Sequence, residues 1–202
     1  MFIVIDGTDG VGKTTQAQLL ADYLRNTKNL DTIVFSEPTN ESAWGRKIKE
    51  AISTGKRLSP EDEAKCFIED RRYDVVERIK PALKQGKTVV LDRYYYSTIA
   101  YQSARGLSAQ QLYADHLPFI IEPDVAIILH CEIDIAMQRL QSRGTLDIME
   151  QKEYQRKVDE IFRSFDSDNI YHLEASADIE TVRAKIVEIV ENFLNEKKQD
   201  AN

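Results

Sequence analysis

The chain has 202 residues, of which 42% are apolar and 30% charged. This is the composition of an ordinary globular protein and excludes collagen-like, low-complexity and disordered classes. The length suits one domain able to bury its own core. With 27 Lys and Arg against 34 Asp and Glu, the net charge is −7, which argues against a general nucleic-acid coat but not against a local basic cleft for anions.

Five short apolar runs are each followed by turn residues: Phe2–Asp6, Thr32–Ser36, Thr88–Asp92, Val125–His130 and Ile170–Glu174. The first, third and fourth are nearly continuous Val, Ile and Leu, the pattern of strands buried on both faces, so a five-stranded parallel sheet with helices on either side is expected. Between the runs lie helical patterns. Lys13–Asn26 carries Leu19, Leu20, Tyr23 and Leu24 on one face. Pro60–Gln85 reads as one long helix with Ser59 as N-cap, Pro60 as its first residue, Gly86 as its stop and a bend at Pro81. Ile133–Ser142, Glu150–Phe165 and Ala177–Glu196 complete the set. The alternation predicts an α/β doubly wound fold in a single domain spanning 1–202, with a polar tail from Asn195 to Asn202 that frays.

No apolar run approaches a membrane span, and the start lacks a basic n-region, with Asp6 cutting its apolar run short. Cys66 and Cys131 have no disulfide or zinc spacing and read as buried thiols in a reducing compartment. His116, His130 and His172 are scattered and suggest no metal site. A soluble cytoplasmic protein, with no membrane or nucleic-acid partner, is the expectation.

Gly7-Thr8-Asp9-Gly10-Val11-Gly12-Lys13-Thr14 fits GxxxxGK[ST] and stands between a predicted strand and a predicted helix. Glycines let backbone N–H groups turn inward around phosphate oxygens, and the following helix offers its positive N-terminus to the same anion. Lys13 can reach the transferred phosphoryl group and Thr14 can ligate Mg²⁺. The nucleotide site assigned to ATP runs from Gly7 to Thr15. The bland alternative is a Gly-rich turn that binds nothing.

Asp92 closes a Val-Val-Leu run and so emerges at the carboxyl edge beside the phosphate loop, where a carboxylate can hold Mg²⁺ directly or through water. Arg93 can bridge two phosphates with its guanidinium fork. An Asp–Arg pair capping the strand is the alternative. Glu37-Pro38 ends the second strand at the same edge, either as a pocket border or as a plain turn. Phe67 and Arg71 share a helix face. A flat base can stack on the phenyl ring while Arg71 donates to a base carbonyl, but periodicity alone favours a core Phe and a solvated Arg. Arg139 and Arg143 are four apart, a mildly unfavourable pairing that a bound phosphate relieves, and Gly144 then interrupts the helix.

The phosphate loop, Glu37-Pro38-Thr39, Phe67-Ile-Glu-Asp-Arg71 and above all Asp92-Arg93-Tyr94-Tyr-Tyr-Ser97-Thr-Ile-Ala100-Tyr101-Gln102 together resemble the thymidylate kinases, over nearly the whole chain. The resemblance implies a P-loop kinase fold with a short mobile lid near 139–151, and transfer of the γ-phosphoryl of ATP to dTMP with Mg²⁺. It implies a homodimer, to which the helix Pro60–Gln85 contributes or which it leaves alone. By the same resemblance Arg93 aligns the acceptor phosphate, and one of Arg46, Lys47 and Lys49, with Arg46 favoured, contacts that phosphate too. Asp9 holds the acceptor 3′-OH. Phe67 stacks on thymine and Arg71 reads it. Glu37, Pro38, Ser97, Tyr101 and Gln102 line the acceptor pocket. Gly10 stands where some family members carry a catalytic arginine, so Arg143 of the lid takes that role, supported by Arg139. Departures at Trp44–Lys49 and at Ser103-Ala104-Arg105 leave another nucleoside monophosphate as the alternative acceptor. A GTPase lacks its NKxD motif here, and a silent nucleotide sensor would be expected to have lost Lys13, Arg93 or the lid arginine.

Overall fold

The computed structural model describes residues 1–56, 58–141 and 152–200. The expected lid beyond residue 141, with Arg143, lies outside the described residues. The elements run β1 (Phe2–Gly7), α1 (Lys13–Asn26), β2 (Thr32–Ser36), α2 (Ala43–Thr54), α3 (Pro60–Asp74), α4 (Lys80–Lys84), β3 (Thr88–Asp92), α5 (Tyr95–Ser103), α6 (Ala109–His116), β4 (Val125–His130), α7 (Ile133–Gln141), α8 (Lys152–Arg163), β5 (Ile170–Glu174) and α9 (Ile179–Asp200). The strands form one wholly parallel sheet in the order β2-β3-β1-β4-β5.

Side chains alternate across the sheet with a period of two. Phe2 and Val4 of β1, Val89 and Leu91 of β3, and Ala126 and Ile128 of β4 pack on one face with Val75, Ile79, Ile99 and Phe162. Ile3 and Ile5, Val90, and Val125 and Ile127 pack on the other with Leu20 and Leu24 of α1 and Ile186 and Val190 of α9. Each such Val, Ile, Leu or Phe side chain, fully removed from water, contributes roughly 1.5–3 kcal/mol, which is why the central strands read as unbroken apolar runs. The chain crosses from one side of β1 to the other between β3 and β4. The carboxyl ends of these three strands therefore border the switch-point crevice where α/β sheets bind ligands.

Several local expectations are corrected. The helix from Pro60 is not continuous: Val75–Ile79 is a π-helical turn, and the Lys80 N–H reaches back to the Val75 carbonyl. A proline lacks the N–H and crowds the carbonyl four residues earlier, and the widened turn sits directly ahead of Pro81. The Ser59 N-cap, the Pro60 start and the left-handed Gly86 stop (φ 77°) are as expected. Helices α2, α5 and α6 replace segments without an assigned structure. Helix α9 continues through Asp200, so residues 195–200 are helical rather than frayed. Both cysteines are buried free thiols. Two of the three histidines meet rather than scatter: His130 Nε2 lies 2.7 Å from His172 Nδ1, and His130 Nδ1 lies 2.6 Å from Asp159 Oδ1.

Candidate active site at the carboxyl edge of the sheet

The phosphate loop leaves β1 through Gly7 and enters α1 at Gly12. Gly7 (φ 136°) and Gly10 (φ 81°) hold angles that L side chains avoid, and a Cβ on either would collide with a carbonyl, that of Leu129 or of Ala136. No side chain caps the N-terminus of α1. Its first N–H groups thus stay available to an anion. Lys13 is buried and its Nζ donates to the Thr8 carbonyl at 2.6 Å, closing the loop on itself. Burial and the neighbouring Arg93 charge pull its amine down to about 8, against Asp9, Asp92 and Asp6.

Arg93 follows β3 with φ 72°, a left-handed conformation that is uncommon for a non-glycine residue and persists where its surroundings fix it. They do so from four directions. Its N–H donates to the Ile5 carbonyl at 3.0 Å, and its guanidinium pairs with Asp9, donates to Ser97 Oγ at 3.2 Å and lies 5.6 Å from the Tyr101 ring centroid. Burial works to raise the Asp9 carboxyl, but the Arg93 and Lys13 charges outweigh it and hold it at about 2. Asp9 is also tied to α8, where Gln155 Nε2 donates to its Oδ2 at 3.2 Å.

Thr14 Oγ1 donates to Asp92 Oδ2 at 2.6 Å, while Asp92 Oδ1 is buried without a hydrogen-bond partner. A hydroxyl and a carboxylate in contact, with one buried oxygen unspent, fit a divalent cation that shares its remaining ligands with phosphate and water.

Asp6 was read only as the end of an apolar run, yet it organises the edge. It is fully buried and accepts four hydrogen bonds: from Gly7 N (2.9 Å) and Ser97 Oγ (2.6 Å) on Oδ1, and from Tyr94 N (2.9 Å) and Ser97 N (3.1 Å) on Oδ2. One carboxylate thus joins the first residue of the phosphate loop to the start of α5, which has no cap of its own. The signal was present in the sequence as a lone acid ending a fully apolar strand just before the glycines.

Arg71 is 1% exposed, paired with Glu37 at 2.5 Å and hydrogen-bonded to Thr98 Oγ1 at 2.8 Å. It is therefore not a solvated charge. Glu37 is followed by a cis peptide to Pro38. Burial pushes the Glu37 carboxyl up to about 8, with Arg71 opposing and Asp74 and Asp70 reinforcing. Phe67, one turn before Arg71, is half-buried. Gln102 is fully buried and donates through Nε2 to Glu63 at 2.7 Å; Glu63 in turn pairs with Arg105. Arg105 of the Ser103-Ala104-Arg105 departure therefore buttresses Gln102 through Glu63. Arg46 is not gathered into this cluster: it is exposed on α2, with NH1 on the Asn40 and Glu41 carbonyls at 3.0 and 2.7 Å.

Outside the phosphate loop lies a cavity of about 240 Å³ lined by Gly10, Gly12, Thr15, Arg139, Ala177 and Asp178, among others. Arg139 NH1 donates to the Ala175 carbonyl at 2.9 Å, joining α7 to the turn after β5.

The chain resembles known proteins over its whole length. The family model described as thymidylate kinase matches residues 5–186. A probable thymidylate kinase of Archaeoglobus fulgidus is 41% identical over 198 residues, 98% of each chain. A thymidylate kinase of Brachyspira hyodysenteriae is 39% identical over 189 residues, 93% of this chain and 92% of that one. The crystal structure of thymidylate kinase from Ehrlichia chaffeensis superposes with a TM-score of 0.74 at 28% identity, over 95% of this chain and 98% of that one. Motif, fold and relatives agree, and the chain belongs to the thymidylate kinase family.

Proposed function

We propose that the chain carries out its family's reaction, ATP-dependent phosphorylation of dTMP, with the groups gathered at the carboxyl edge of β1 and β3. The observation that carries the assignment of residues is Arg93, held in a left-handed backbone conformation and paired with Asp9 of the phosphate loop.

The loop N–H groups from Gly7 to Thr15 and the uncapped α1 terminus hold the ATP phosphates, and Lys13 turns from the Thr8 carbonyl to the γ-phosphate. Arg139 and the adjoining cavity take the adenine end. Asp9 receives the acceptor 3′-OH, while Arg93 draws the dTMP phosphate into line. Phe67 stacks on thymine and Arg71 donates to it; Glu37, Pro38, Ser97, Tyr101 and Gln102 form the surrounding wall. Arg46 swings to the acceptor phosphate from the exposed face of α2. A 5′-phosphate oxygen of dTMP then attacks the γ-phosphorus, the bond to the β,γ-bridging oxygen breaks, and dTDP and ADP result. The nucleophile is already anionic, so alignment and charge neutralisation do the work in place of a general base. Thr14 and Asp92 would hold Mg²⁺, which would neutralise phosphate charge there. Arg143 adds positive charge from the lid; an arginine in such a role is worth ~10³–10⁵ in rate.

A homodimer in the cytoplasm is part of the same proposal. The dimer is supported by exposed Trp44 and Val76, which line a groove that shares Glu69 and Arg72 with a second one. No helix among the described residues is long and apolar enough to cross a membrane. The test is steady-state kinetics of Arg93→Ala with ATP·Mg²⁺ and dTMP: kcat should fall at least about 10³-fold. A change of only a few-fold would remove Arg93 from the reaction centre.

A further inference from the structure

His116, on α6, was assigned no role by the motif, yet it touches the guanidinium of Arg71. Its imidazole is fully buried, with Nε2 2.7 Å from Arg71 NH1 and Nδ1 2.6 Å from the Leu112 carbonyl. A guanidinium has five N–H donors and no acceptor, so His116 Nε2 must accept. A carbonyl only accepts, so Nδ1 must carry the proton. Both contacts demand the same tautomer, the neutral Nδ1–H form. Burial and the Arg71 charge hold the ring down at about 3, so it stays neutral across the working range.

This arrangement determines what Arg71 has left to offer. NH1 spends one hydrogen on Thr98 Oγ1 and the other on His116, and NH2 spends one on Glu37 Oε2. Nε–H is buried without a partner, and Glu37 Oε1 is likewise buried and unpartnered. An unsatisfied donor on a buried charge is unfavourable unless a ligand meets it. With NH1 occupied from α5 and α6, the guanidinium is held against rotation, and its Nε–H and the second NH2 hydrogen are the donors left unspent.

We propose that His116 is a positioning residue for acceptor recognition: as a neutral hydrogen-bond acceptor it locks Arg71 so that the unspent donors of the guanidinium select a nucleobase carbonyl over an amino group. The proposal rests on the reading of Arg71 as the residue that donates to the base.

Arg71→Lys, His116→Leu and His116→Gln are compared for KM of dTMP, KM of ATP, kcat and relative turnover of dCMP. Gln places an acceptor oxygen near the position of Nε2, whereas Leu does not. Loss of a hydrogen bond to a charged group predicts a rise of about tenfold or more in KM for dTMP in His116→Leu, with reduced preference for dTMP over dCMP. KM for ATP should hold, and Gln should restore most of the loss. If Arg71→Lys leaves KM for dTMP unchanged, the reading of Arg71 itself fails. If Arg71→Lys raises it and His116→Leu matches the parent, or raises both KM values equally without rescue by Gln, the positioning role is overturned. Should His116→Leu not fold, ¹⁵N shifts of labelled histidine in the unmodified chain decide. A protonated Nδ1 and bare Nε2 on His116 support the lock, and the opposite tautomer or an imidazolium overturns it.

Discussion

Asp6→Asn is the most informative single substitution at the sheet edge, because it changes one atom and little volume. Asp6 accepts from two donors on each oxygen. An amide has one oxygen and one NH2. With the NH2 toward Tyr94 and Ser97, two backbone N–H groups face a donor. With the NH2 toward Gly7 and Ser97 Oγ, the hydroxyl can turn and accept, and only the Gly7 N–H is stranded. The second orientation is the less costly, and one stranded buried donor costs about 1–3 kcal/mol. For a chain of this size that is a fall of about 2–12 °C in Tm. Asp6→Ala strands all four donors and removes the α5 cap, so its loss should be larger, about 4 kcal/mol or more. Because Gly7 and Tyr94 flank the phosphate loop and Arg93, kcat/KM should fall for both substrates in each variant. Calorimetric melting and steady-state kinetics read the two effects. A Tm within about 1 °C of the parent for Asp6→Ala, with full activity, would refute the view that this carboxylate ties the loop to α5.

Lys13 gives a pH signature. Its amine sits at about 8 in the free protein, and bound phosphates raise it. ATP affinity should therefore be complete below pH 8, weaken as pH rises through 8, and be accompanied by proton uptake near pH 8.5 in calorimetry across buffers of different ionisation enthalpy. Proton release there would invert the assignment. Asp92→Ala should raise the Mg²⁺ concentration for half-maximal rate by about 10–100-fold, measured by Mg²⁺ titration at fixed ATP; an unchanged requirement would move the cation elsewhere. Arg143→Ala should lower kcat far more than it alters KM for dTMP, and a large KM rise at constant kcat would remove it from the transferring group.

The sheet was legible because central parallel strands are buried on both faces, which leaves nearly continuous apolar runs at β1, β3 and β4. The phosphate loop was legible because its backbone angles demand glycines at fixed spacing. What escaped was held from far along the chain. Helix α5 begins Tyr-Tyr-Ser-Thr, poor helix formers, and its cap comes from Asp6, 91 residues before Ser97. Gln155 meets Asp9 across 146 residues, and His116 meets Arg71 across 45. None of these pairs leaves a periodic trace. The π turn before Pro81 was missed for a different reason: a proline signals that the helix must yield, not whether it bends or widens. On periodicity alone Arg71 read as a solvated charge, and only the family segment pointed inward, where Glu37 and Thr98 receive it.

The most direct measurement is ADP release with ATP·Mg²⁺ against a panel of dTMP, dUMP, dCMP, dAMP and dGMP. The base-binding role proposed for Phe67, Arg71 and Gln102 predicts strong preference for dTMP, with dTDP formed one for one with ADP. Preferred turnover of another monophosphate would keep the phosphate machinery and contradict the base pocket. ATP binding without turnover of any would contradict the account as a whole.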